Sequence, residues 1–166
     1  MTRLSFWLLL FAAAAPAAAQ SEWVSQCEGV WSGTMHIFSR GEVKDSVSVR
    51  LTLAARPEPG TWTWKMEYLS PKQPAVKDYV LRHREGNRFV MDEGGGVELP
   101  GFLFGNKLIS QFEVQGIYLT STMELVDGRI VFEVTSGKAS TPVAQGINVY
   151  SVEHVQRVTL QKLKRP

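Results

Sequence analysis

The feature that most constrains this chain is a two-residue alternation of apolar and polar side chains, interrupted by turn residues about every 8 to 12 positions. Between Val43 and Ala54, the residues Val43, Val47, Val49, Leu51 and Leu53 fall on one face, and Lys44, Ser46, Ser48, Arg50 and Thr52 on the other. Between Thr61 and Tyr68 the split is sharper, with Trp62, Trp64, Met66 and Tyr68 opposed to Thr61, Thr63, Lys65 and Glu67. Successive side chains of a strand point to opposite faces, so each segment reads as a strand with one face in water. No stretch of ten or more residues carries a persuasive helical period.

The turns fix the number of strands. Arg40-Gly41, Arg56 to Gly60, Ser70 to Pro74, Glu85-Gly86-Asn87 and Asp127-Gly128 separate runs at Val30–Phe38, Val43–Ala54, Thr61–Tyr68, Val76–Arg84 and Arg88–Asp92, and later at Lys107–Gln115, Ile117–Val126 and Arg129–Thr135. Gly116 is a tight turn or a bend. Glu93-Gly-Gly-Gly96 and Pro100-Gly101 bracket a segment read as irregular, and Ser136 to Gly146 is a looser stretch before a long last strand from Ile147 to about Leu163. Nine or ten sequential antiparallel strands leave two edges to hide. Closing an up-and-down meander into a single all-β barrel hides them with short connections, whereas a Greek-key sandwich needs long ones.

Composition agrees once the first 19 residues are set apart. Met1 to Arg3 is a positive start, Leu4 to Ala15 an apolar run broken only by Ser5, and Pro16 to Ala19 a small-residue cleavage site, so residues 1–19 read as a cleavable export signal. The expected product begins at Gln20, has a short polar lead-in over 20–28 and a barrel over 29–166 with a basic tail, and is soluble in the periplasm or outside the cell. It holds 18 Val, 5 Ile and 9 Thr against 11 Leu and 5 Ala, a β-rich balance. Its 17 basic and 16 acidic residues leave no electrostatic footprint for nucleic acid. Cys27 is the sole cysteine, which excludes an internal disulfide. The polar Ser25-Gln26 before it does not match a lipid-attachment site, so Cys27 reads as a small buried apolar residue.

Gly29-Val30-Trp31, at the head of the first strand of such a meander, resembles the Gly-x-Trp motif of the calycin superfamily, the lipocalin and fatty-acid-binding-protein-like barrels. The resemblance implies that Trp31 closes one end of the barrel beneath a basic side chain of the last strand, for which Arg157 in Val155-Gln-Arg-Val158 is the matching position. It also implies an interior able to take a small ligand. The lipocalin disulfide and the helix before the last strand have no counterpart here. A narrower likeness joins Gly29-x-Trp31-x-Gly33 and His154 to nitrobindin-like barrels, where a late histidine ligates haem iron. This chain has Met35-His36-Ile37 where that family continues with glycines.

Within such a barrel the aromatic face Trp62, Trp64, Met66 and Tyr68 would line an apolar pocket, met from later strands by Phe112, Met123 and Phe132. His83 shares the parity of Tyr79 and Leu81 and could reach a ligand carboxylate or act as an acid or base. Glu93 to Gly96 lacks the lysine and following helix of a phosphate loop and reads as a flexible rim. No nucleophile elbow, metal-ligand cluster or dinucleotide fingerprint is present, and the expectation is a binding protein rather than an enzyme. The chemistry expected is sequestration of a small, largely apolar molecule, with no cofactor. Two alternatives stand beside it: a haem protein using His154, and a filled barrel acting through its surface as an interaction module. Ligand identity and oligomeric state are not legible.

Overall fold

The computed structural model describes residues 17–164; residues 1–16, most of the segment read as an export signal, and the last two residues lie outside them. One helix, α1 (Ala17–Cys27), leads into ten strands: β1 (Gly29–Ser39), β2 (Glu42–Ala55), β3 (Thr61–Tyr68), β4 (Ala75–His83), β5 (Arg88–Gly94), β6 (Val97–Phe104), β7 (Lys107–Val114), β8 (Ile117–Val126), β9 (Arg129–Ala144) and β10 (Ile147–Lys162). Each strand pairs antiparallel with its chain neighbour, and β10 pairs with β1, which closes the barrel. The up-and-down all-β barrel expected from the alternation is the observed architecture. Asp127-Gly128 and Gln115-Gly116 both turn with positive φ at two successive residues, the twist that a two-residue hairpin requires, so Gly116 is a tight turn.

Two segments differ from the sequence reading. The stretch read as irregular around Pro100-Gly101 is β6, which pairs with β5 from Val97 to Phe102. Proline is tolerated because the β6–β7 ladder is short, running only from Phe102 opposite Ile109 to Phe104 opposite Lys107. Beyond it the Pro100 carbonyl accepts a hydrogen bond from Ser110 Oγ at 2.7 Å in place of a backbone donor. Similarly, β9 and β10 continue through the looser stretch as a two-stranded ribbon past the end of β8, whose pairing with β9 stops at Ile117 opposite Lys138. Most of the described side chains along that ribbon are exposed, so no alternation marks it. Its close approach needs Gly137, where a Cβ would lie 1.6 Å from the Ser151 carbonyl oxygen.

The lead-in read as polar is also helical. Trp23, Val24 and Cys27 form the buried face of α1, with Val24 and Cys27 fully covered. Three indoles tie this region to the barrel end where β1 begins. Trp23 Nε1 donates to the Asn106 carbonyl at 2.9 Å, Trp31 Nε1 to the Cys27 carbonyl at 2.8 Å, and Trp62 Nε1 to Glu28 Oε1 at 3.1 Å. Trp23 also meets Phe89 edge-on at 6.4 Å. A helix this short is marginal alone and depends on such packing, which explains its weak sequence signal.

The basic group over Trp31 is Lys162, not Arg157. Register places Trp31 opposite Lys162, whose Nζ lies 5.1 Å from the Trp31 ring centroid. Arg157 pairs opposite His36, has the outward parity of β10, and bonds Glu133 Oε2 at 2.8 Å on the surface. Gly29 makes room for the Lys162 stem, since a Cβ there would lie 2.6 Å from Lys162 Cε.

Candidate functional site

Side chains pointing inward do not fill the barrel evenly. Met35, Leu51, Met66, Val158 and Leu160 on β1, β2, β3 and β10 are essentially inaccessible and belong to the packed core. Beside them a cavity of about 510 Å³ is lined from every strand, with the small residues Gly101, Ser110 and Ser121 of β6, β7 and β8 leaving room in its wall. Plugging by α1 shuts one end, so the cavity faces the other, where the β1–β2, β3–β4 and β5–β6 turns lie.

The deep wall is apolar. Trp64, Leu81, Phe89, Met123 and Phe132 line it, each no more than 6% exposed. Trp64 reaches across the barrel from β3 to within 5.8 Å of the Phe132 ring on β9 and stacks on Tyr79 of β4 at 5.7 Å and 12°. Toward the mouth the lining turns polar, with Asp45, Tyr68, Gln73, Lys77, Tyr79 and Glu93. Burial pushes the Tyr68 hydroxyl above its ordinary range. Tyr79 is pushed up to about 12, first by burial and then by the nearby Glu93 carboxylate. Both tyrosines therefore present neutral hydroxyls to the cavity. Lys77 Nζ sits 6.0 Å from the Tyr79 ring centroid.

Of the residues singled out from sequence, Trp64, Tyr68, Phe112, Met123 and Phe132 line this cavity together. Trp62 and Met66 share their inward face but do not line it: Trp62 is at the plugged end bonded to Glu28, and Met66 is fully covered in the packed core. His83 is at the plugged end as well, its Nε2 2.8 Å from the Gly86 carbonyl and its ring 5.0 Å from Phe89. His154 is exposed, opposite Ser39 on β1, and is not among the lining residues. His36 is bonded to Ser46 Oγ at 2.9 Å on the outer surface. None of the three histidines lines the cavity, so the residues present do not offer an imidazole to a haem inside it. Among the described residues no group of three or more His, Cys, Asp or Glu side chains could hold a metal ion.

Sequence reasoning passed over the charged lining residues Asp45, Lys77 and Glu93 together with apolar ones such as Leu81, Phe89 and Met91. Lys77 continues the parity of Tyr79 and Leu81, and Glu93 that of Phe89 and Met91, so extending the alternation outward along β4 and β5 would have found both. Glu93 was assigned to a loop because three glycines follow it.

No protein-family model matches the chain, and neither does any curated protein. Solved structures do. An S-type phycobiliprotein lyase, CPES from Guillardia theta, superposes with a TM-score of 0.61 at 8% identity over 88% of this chain and 93% of its own. A protein of unknown function from the DUF3598 family of Nostoc punctiforme gives 0.59 at 11% identity over 84% of this chain; this chain spans about half of its length, 49%. A mutant of the fluorescent protein UnaG gives 0.50 at 20% identity, covering 86% of this chain and 99% of its own. At these identities the likeness is one of architecture, that of a closed antiparallel β-barrel.

Proposed function

We propose that the protein binds a small, largely apolar molecule inside the barrel and acts by sequestering it, as an exported protein without catalytic chemistry. The observation that carries this reading is the cavity. Its volume of about 510 Å³ falls within the range of roughly 300–1,000 Å³ usual for small-molecule sites, and apolar side chains surround its depth while hydroxyls and charges gather at its mouth. Burying about 200 Å² of apolar ligand surface there contributes roughly 5 kcal/mol, and the mouth groups orient what enters. The wall is preformed on strands, which lowers the ordering cost of binding. Support for a ligand-holding role also comes from the likeness to barrels named as a lyase acting on a phycobiliprotein and as a fluorescent protein. Export is compatible with the fold, because cleavage after Ala19 leaves Trp23, Val24 and Cys27 of the plug in the mature chain.

Native mass spectrometry of protein recovered from the exported fraction of the cells that make it tests both parts. The expected result is a chain beginning at Gln20 that carries one adduct on the order of a few hundred daltons, released on denaturation. A chain that still holds residues 1–19, or a mature chain with no adduct and no uptake of any apolar probe, would contradict the respective part.

A further inference from the structure

We propose that the cavity selects molecules bearing a positively charged nitrogen, an alkylammonium or arylammonium group on an apolar body, and that Glu93 sets this preference; the inference rests on the cavity being the ligand site. Three charged side chains line it, the carboxylates Asp45 and Glu93 and the ammonium of Lys77. Among the described residues none of the three takes part in an ion pair. Their surroundings differ. Asp45 and Lys77 are exposed at the mouth, where water and salt screen them, whereas Glu93 is half-buried. A partly desolvated carboxylate exerts the stronger field on whatever enters.

Geometry places that field beside an aromatic wall. The pairing of Val80 with Asp92 puts Tyr79 of β4 next to Glu93 of β5, and the Tyr79 ring stacks on Trp64. The Glu93 charge acts on the neighbouring Tyr79 hydroxyl, and the lone pairs of a carboxylate accept from an incoming donor. An ammonium group is such a donor, and it is also attracted to indole and phenol faces. An anionic ligand would meet the opposite situation. Its counter-charge would be Lys77 alone, out in solvent, and Glu93 would repel it; no arginine lines the cavity among the described residues.

Matched decyl probes separate the possibilities. Calorimetric titration with decylammonium, decanol and decanoate, each well below its aggregation concentration, is run on the wild type, Glu93→Gln and Lys77→Ala. The expected order is decylammonium tightest, about tenfold or more over decanol, with decanoate weakest. Glu93→Gln should bring decylammonium to the level of decanol measured on the same variant. Lys77→Ala should not lower the preference for decylammonium over decanol. Decanoate binding tightest and losing affinity in Lys77→Ala, or decylammonium unaffected by Glu93→Gln, would overturn the proposal while leaving an apolar binding site intact. Failure of all three probes to bind would instead overturn the ligand site itself, and this inference with it.

Discussion

At the scale of single residues, the chemistry of the cavity is set by which groups the barrel withdraws from water. Tyr79 is the clearest case. As an acid whose folded pKa of about 12 exceeds its ordinary 10, it stabilises the fold in its neutral form. That contribution is fully present below pH 10 and is lost as the pH climbs toward 12. In an alkaline titration followed by tyrosinate absorbance and by melting temperature, Tyr79→Phe should remove one late-ionising tyrosine and flatten the fall in melting temperature across that window. A Tyr79→Phe variant whose titration matches the wild type would separate Tyr79 from Glu93. The alternation made the aromatic residues readable, because Trp62, Trp64 and Tyr68 all fall on the same period-two face of one run. It did not reveal that Met66, on the same face, belongs to packed core. Period two assigns a side chain to the interior but says nothing of what stands opposite it across the barrel. Likewise, Arg157 and Lys162 are both basic residues of the last strand, and only register decides which covers Trp31.

At the scale of elements, the strands follow from alternation and turn chemistry wherever an inner face exists to enforce them. Where none does, as in the β9–β10 ribbon beyond Lys138, the pattern fades although the strand continues. Helix α1 was hidden for another reason, being held by contacts with Asn106 and Phe89, residues far along the chain. The consequence is testable. Trp23→Ala removes a nearly buried indole, its hydrogen bond and its ring contact, and should cost about 3–5 kcal/mol in denaturant-induced unfolding. Glu22→Ala, on the exposed side of the same helix, should change stability by less than about 0.5 kcal/mol. Equal effects from the two would mean that α1 is not part of the core.

At the scale of the whole molecule, closure, plugging and uneven filling together make a binding site. Closing the meander removes sheet edges, α1 shuts one end, and the packed core leaves a cavity lined from every strand. Closure was legible in the chain because ten alternating strands with short turns admit few other solutions. Volume was not, since it depends on how side chains such as Trp64 and Phe132 meet across the interior. The account therefore turns on whether that space takes up a guest. Ser121 lines the cavity on β8, and Ser121→Trp would take up part of its space while leaving the mouth charges in the sequence. Equilibrium dialysis of decanol against the wild type and this variant, with circular dichroism to establish that both are folded, is the direct measurement. Saturable binding of one molecule per chain by the wild type, weakened at least about tenfold in Ser121→Trp, is the expected result. No saturable binding by the wild type, or equal affinity in the two proteins, would contradict it.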